Sequence, residues 1–386
     1  MRVVIIGGGI IGLSTAVVLA DTLARDGDTT SEIVLFDPAP ASGASHFAGG
    51  MLAPAAEVMY QQDPLFPLMM ESSRRYPELL DIVRSHTNLD IGHRNEGTLV
   101  VAADRADAQH LSELLEYQQS HGMSVEHISV RAARRLEPGL APHLSGAVSI
   151  ASDTQISPRM FTAALIDAAQ NLGVRVLKET AQSITQSTEG LGKVVSTDSG
   201  SYLCEQVVIA NGLGAALIAG WHEAATETST PLKLRPVYGD ILRLRVPDYL
   251  YPLINHVVRG FVEDRPIYII PRNDHTIALG ATTREDGRAT PLAGGVYDLL
   301  RDGIHIVPGI EDCELIEAST GARPGTPDDL PYLGRIDDSI IVSTGYFRHG
   351  ILLSALAAFT TVDMLLGRSE TIDLSACKPL RHLSNM

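Results

Sequence analysis

Four residues near the start of the chain define a chemistry. Gly7, Gly9 and Gly12 stand in the spacing G-x-G-x-x-G, and Asp37 follows at the end of a β-branched run. A first glycine permits a sharp turn out of a strand. A second lets a pyrophosphate approach the backbone, and a third lets the next helix pack closely on the strand. The start of the helix that follows presents free N–H groups and the positive end of its dipole to phosphate. Asp37 can accept hydrogen bonds from ribose hydroxyls. It lies further past Gly12 than the usual ~20 residues, and the polar stretch 26–31 absorbs the difference as a longer loop. The pattern predicts a bound dinucleotide; the plainer alternative is an ordinary βαβ unit with a glycine-rich turn.

Two further stretches extend the reading. Residues 38–54 begin at Pro38, run through Ala44, Ser45, Gly49, Gly50 and Met51, and carry no acidic or strongly basic group. Such a stretch suits a backbone lying against a flat ligand, or else a tight buried connection. Far downstream, Gly345-Tyr346-Phe347-Arg348-His349-Gly350 opens a helix expected over 351–366, with Ile351 and Leu352 in its first turn. That helix can aim a second dipole at an electron-rich group. The two glycine turns together predict FAD held along its length rather than NAD, which needs only the first. His46 and His349 read as hydrogen-bonded packing residues rather than catalysts. Cys204, Cys313 and Cys377 have no metal-binding or redox spacing, and no metal is expected.

The elements that must position these residues follow from periodicity. Residues 2–6 and 33–36 are short β-branched runs without alternation, as in a buried parallel sheet, and residues 13–23 between them are helical. Residues 63–86 read as a surface helix pair. A strand over 93–102, a helix over 104–121, a helical turn over 130–136 and a strand over 147–150 then begin a second unit. Ser157 and Pro158 suit an N-cap and first helical position. Residues 174–177 form a strand, 193–197 and 201–204 a hairpin, and 206–212 a strand of the nucleotide-binding sheet. Strands over 231–245, 265–272 and 276–283 and a helix over 296–306 belong to the second unit. Residues 311–318 form a strand running back toward the first, and 340–344 another strand. The fold class is therefore α/β, with a Rossmann-like domain interleaved with an α+β one. The expected division gives 1–88, 151–225 and 313–386 to the first domain, and 89–150 and 226–312 to the second.

The chain has 386 residues, 45% hydrophobic and 20% charged, with a formal net charge of −16. That charge argues against nucleic acid and against an electrostatic grip on anionic membranes. The cysteine usage, the strand at residue 2 and the lack of a long apolar run lead to the expectation of a cytoplasmic protein without signal peptide or membrane span.

Several blocks together resemble the D-amino-acid oxidase superfamily of FAD-dependent amine oxidoreductases, most closely its glycine oxidase branch. They are the glycine turn, Ala48–Met51, Tyr268 in YIIPR, the ALGAT run at 278–282, Ala322-Arg323-Pro324-Gly325-Thr326, and residues 346–353. They fall in family order over nearly the whole chain. The resemblance implies a glutathione-reductase-type FAD domain interleaved with an antiparallel-sheet substrate domain, and FAD bound non-covalently. It implies that Arg323 clamps the substrate carboxylate with its guanidinium fork. Tyr268 and Arg348 would line the substrate side of the flavin beside Met51. Ile10, Ile11, Asp37, Pro38, Ala44, Ser45, Gly49, Gly50, Met51 and 345–353 would contact FAD, and backbone near Gln182 would meet the adenine. His46 and Phe47, Pro266 and Thr283 depart from the pattern and bear on which amine is preferred.

The implied reaction is oxidative deamination of glycine or another small amine or D-amino acid. O2 is reduced to H2O2, and the setting is thiamine (thiazole) biosynthesis. Expected partners are the amine and O2, with a homo-oligomer as the assembly, the resemblance implying a tetramer. Two alternatives stay open: a dehydrogenase passing electrons to a quinone or other carrier, and a flavin-binding partner protein without turnover.

Overall fold

The structure is a computed structural model that describes all residues except 59, 61, 189–191, 227–229, 370 and 384–386. Two large sheets organise it. The first has six strands in the order 332–335, 340–344, 206–209, 2–6, 32–36, 175–177, all parallel except the antiparallel edge 332–335. Its central strand Arg2–Ile6 is buried from Val3 onward. That fits the uniform β-branched run, because a parallel sheet is covered on both faces. The second sheet has eight strands in the order 314–325, 235–245, 276–280, 265–271, 257–262, 98–102, 146–150, 126–128. It is antiparallel apart from the pair 257–262 and 98–102. The chain enters the first sheet, leaves for the second, returns, leaves again and returns once more, so the expected interleaving holds.

The helix Ile10–Arg25 begins directly after the glycine turn and packs on the helices Pro158–Asn171 and Ser354–Leu365. Gly7 stands at φ +115°, and a Cβ there would press on the backbone of Ala210 and Asn211. A Cβ on Gly12 would run into the Gly7 carbonyl. Both observations match the turn and close-packing roles read from the spacing. The helix Ser354–Leu365 is buried on every side except at Asp363. The Arg75 guanidinium lies 4.1 Å from the Phe359 ring centroid and 4.0 Å from the Asp363 carboxylate. Asp363 is thereby matched at the edge of an apolar packing face.

Several expectations are corrected. Residues 63–86 form one helix, Phe66–His86, after a single 3-10 turn, and it carries Pro77 internally. It is half core, because Leu68, Met69, Leu79, Leu80 and Val83 pack against neighbouring helices. The last helix begins at Ser354 rather than 351, since residues 350–353 form a turn first. Ser157 holds the N-cap position, but its hydroxyl makes no capping bond. The strand expected over 311–318 runs from Glu314 to Gly325 and pairs along its length with Arg235–Arg245, in the second sheet rather than toward the first. Several strands escaped the pattern, among them Ala181–Gln186, which extends the hairpin to three strands, Val257–Val262, and the edge strands Glu126–Ile128 and Tyr332–Arg335.

Candidate active site

A cavity of about 490 Å³ lies between the two sheets. One wall comes from the parallel-sheet side: Gly9 to Ile11, Asp37, Gly43 to Ser45, Phe47 to Met51, Ala210 to Gly214, and residues 343–348 with Gly350 and Ile351. The other comes from the antiparallel sheet: Gly239, Arg259, 266–268, Ala281, Thr283 and 321–324. Ligands in open α/β sheets sit outside the carboxyl ends of the strands. Asp37, Ala210 and Gly345 follow directly after three such ends.

The phosphate end is built as the spacing predicts. Gly9 caps the helix Ile10–Arg25 with no side chain. The Ile10 N–H donates to the Ser45 hydroxyl at 3.1 Å, which ties the 43–47 turn to the helix start. Asp37 accepts from the Gly8 N–H at 2.6 Å and the Ala39 N–H at 2.8 Å. Its carboxylate is thus fixed at the cavity edge, where a ribose would meet it. Arg272 holds the facing loop. It is buried, and its guanidinium donates to the Gly49 carbonyl, to Gln155 Oε1 at 2.8 Å and to the Ile156 carbonyl at 3.0 Å. These features fit an extended dinucleotide: a helix start whose N-cap residue carries no side chain, a fixed acid and a backbone-lined trough.

The other end gathers charge around Tyr268. The strand Glu314–Gly325 places Arg323, whose guanidinium lies over Gly239, where a Cβ would collide with it. Among the described residues Arg323 makes one hydrogen bond, Nη1 to the Thr282 carbonyl at 3.3 Å. Tyr268 leans over Gly280 in the same way, and Gly49 faces its ring. Burial raises the Tyr268 hydroxyl above its ordinary value, so it stays a neutral donor. Burial also pulls the Arg323 guanidinium down, with Tyr268 and Glu57 opposing.

The structure brings most of the expected residues to this cavity: Gly9, Ile10, Ile11, Asp37, Ala44, Ser45, Gly49, Gly50, Met51, Tyr268, Arg323, Tyr346, Phe347, Arg348, Gly350 and Ile351. Six do not line it. Gly7 and Gly12 lie beneath the turn. Pro38 is exposed beyond Asp37, and Gln182 is exposed with its carbonyl taken by the Ala219 N–H at 3.0 Å. Leu352 is fully buried behind the lining, and its carbonyl accepts from the Ser72 hydroxyl at 2.6 Å. His349 is 1% exposed, with Nδ1 3.8 Å from Glu57 Oε2. Neither ring nitrogen has a hydrogen-bond partner.

Sequence reasoning missed Glu57, Arg259 and the loop 210–214. The loop was findable, since it follows a strand expected in the nucleotide-binding sheet. Glu57 is the first charge after the long neutral run, and Arg259 is the one charge in Val257–Val262. Burial pushes the Glu57 carboxyl up, but His349, Arg259 and Arg348 outweigh it and hold it below the ordinary carboxylate value.

A parallel sheet with this glycine turn, and a charged cavity facing an antiparallel sheet, define an oxidoreductase that holds a flavin dinucleotide between two domains. The chain belongs to the DAO family of FAD dependent oxidoreductases, whose family model matches residues 2–364. It is 32% identical over 391 residues to the glycine oxidase of Geobacillus kaustophilus (strain HTA426), covering 100% of this chain and 98% of that protein. The crystal structure of glycine oxidase from Geobacillus kaustophilus matches with a TM-score of 0.86 at 31% identity, over 99% of this chain and 100% of that one. The bifunctional protein ThiO/ThiG of Synechocystis sp. is 31% identical over 391 residues, 99% of this chain and 54% of that protein. The protein is accordingly an FAD-dependent amine oxidoreductase. Among the described residues, no helix is long and apolar enough to cross a membrane.

Proposed function

We propose that the protein oxidises a small amino acid, glycine or a close analogue, to its imine, with O2 reduced to H2O2. The balance is R–CH(NH2)–COO⁻ + O2 → R–C(=NH)–COO⁻ + H2O2. The imine hydrolyses to the oxo acid and ammonia or enters thiazole formation; similarity to a ThiO/ThiG protein supports the thiamine setting. Bound FAD supplies the two-electron acceptor that O2 reoxidises.

The observation that carries this reading is Arg323, a guanidinium facing the cavity with a single long hydrogen bond. Its remaining donors match a substrate carboxylate bidentately. Tyr268, held neutral beside it, orients the same group. Met51 and Ile267 give the cavity apolar walls that exclude water. The fingerprint residues, 43–51 and 343–351 are the proposed FAD contacts. The proposed cofactor domain is the set of segments that build the parallel sheet, with the last crossing between Gly325 and Tyr332.

The test is anaerobic mixing of the holoprotein with glycine, sarcosine, D-alanine and D-proline while flavin absorbance is followed. Bleaching by glycine or sarcosine, reversed by air with peroxide formed, supports the reading. Bleaching reversed only by a dye or quinone would make it a dehydrogenase. No bleaching by any amine would refute it.

A further inference from the structure

Arginines of this chain with buried or half-buried side chains include two kinds. Arg272 has three acceptors, and Arg284 has Asp240 at 2.7 Å, Asp286 at 2.9 Å and the carbonyls of Arg288 and Thr290 at 2.6 and 2.8 Å. Such guanidiniums use most of their five donors within the fold. Arg323 and Arg259 do not, and both line the cavity.

Arg259 is 9% exposed, and among the described residues its Nη1 has no hydrogen-bond partner. Among the described residues its one ion contact is Glu57 Oε1, at 3.8 Å, beyond hydrogen-bond reach. That carboxylate is shared, its other oxygen standing 3.8 Å from His349. Burying a guanidinium so loosely matched costs several kcal/mol in general. The placement is also informative. Arg259 is the direct cross-strand partner of Tyr268, so the two side chains rise from the same sheet face. Tyr268 therefore has a guanidinium on either side: Arg323, reaching in over Gly239, and Arg259 from the next strand.

One carboxylate occupies one fork. Glycine would leave Arg259 as it stands. We infer that the cavity accepts amines carrying two carboxylates, Arg323 holding the one next to the reacting carbon and Arg259 the distal one. This rests on the amine-oxidation reading and names its substrate class: an N-carboxymethyl amine or an acidic α-amino acid. Burial, with Arg348 adding repulsion, pulls the Arg259 guanidinium below its ordinary value, and Glu57, Asp153 and Tyr268 offset this only in part. A second ligand carboxylate would supply what is missing.

The experiment compares kcat/KM of the holoenzyme for iminodiacetate, D-aspartate and D-glutamate with that for glycine, in the wild type, Arg259→Met and Arg259→Lys. At least one diacid should exceed glycine by tenfold or more. In Arg259→Met the diacid-to-glycine ratio should fall about 30-fold, which is about 2 kcal/mol at 1.36 kcal/mol per decade; the lysine variant should keep part of it. Calorimetric titration with malonate, succinate and glutarate against acetate reads the same site without turnover. If Arg259→Met does not fold because Glu57 is left buried and unmatched, Arg259→Met/Glu57→Gln removes both charges and the same ratio is read.

A wild type that oxidises glycine with no diacid advantage overturns the inference and leaves the amine-oxidation reading standing. So does a ratio unchanged by Arg259→Met, which would make Arg259 only the counterion of Glu57. Diacids that bind through Arg259, with no amine bleaching the flavin, would instead overturn the amine-oxidation reading.

Discussion

Asp153 offers a test that does not depend on catalysis. It is fully buried just before the short strand Thr154–Gln155, and neither carboxyl oxygen has a hydrogen-bond partner. Burial, with Glu57 adding repulsion, pushes its pKa from 3.8 up to about 7, against the pull of Thr98, Ala56 and Arg259. A raised acid pKa means that the folded state binds the proton more tightly than the unfolded one. The full stability is therefore present below the unfolded value, and it is lost as pH rises from about 4 through about 7. At 1.36 kcal/mol per unit, the loss is about 1.7 kcal/mol at pH 5 and about 4 kcal/mol at pH 8, as upper figures. Asp153→Asn removes the titration. Any packing effect of the amide is the same at both pH values, so the informative quantity is the difference between them. Relative to wild type, the variant should gain about 2–3 kcal/mol more at pH 8 than at pH 5. Unfolding entropies of about 2.1 cal/mol/K per residue over 386 residues give about 0.8 kcal/mol/K. The extra gain at pH 8 is then about 3 °C in Tm. The assay is thermal melting of both holoproteins at the two pH values. Equal differences at pH 5 and pH 8 would show that Asp153 does not titrate in this range. A greater gain at pH 5 would refute the burial argument.

Other predictions follow from the same geometry. Arg323→Ala should raise KM for the amino acid by about 100-fold, the loss of two charge-assisted bonds, while FAD content is retained; an unchanged KM would remove Arg323 from the substrate. Gly239→Ala places a methyl against the Arg323 guanidinium, and KM should rise about tenfold with the charge still present; wild-type kinetics would show that the guanidinium works from elsewhere. Asp37→Ala strips the acceptor from the Gly8 N–H and should weaken FAD binding by 10- to 100-fold, about 1.4–2.8 kcal/mol, in titrations of the apoprotein.

How far the chain could be read depended on how local each feature is. The glycine turn, its flanking strands and Asp37 were legible because a βαβ unit is specified within some forty residues. The trough 43–51 was legible for a related reason: few roles other than backbone contact suit so long a neutral run. Arg323 was found through the resemblance of its block, but the strand expected before it stopped at residue 318. The run 321–325 carries Gly and Pro, which usually mark turns, yet here it continues the strand from Glu314 by pairing with Arg235–Gly239. Pairing with a distant strand overrode the local signal. Val257–Val262 was passed over because buried residues on both faces erase the alternation that marks a strand.

The sequence by itself determined the cofactor-binding unit, the interleaving of two kinds of sheet and most residues that meet between them. The first two follow from spacing and periodicity, which are properties of contiguous chain; Tyr268, Arg323 and Arg348 were read from the resemblance of their blocks to the family. Only the tertiary structure decided the charge balance around Tyr268. Glu57, Asp153, Arg259, His349 and Arg323 come from separate segments. Whether each is matched, shared or left wanting depends on sheet register and burial. A charge in water needs no partner; a buried one does, and no sequence pattern records where its partner stands.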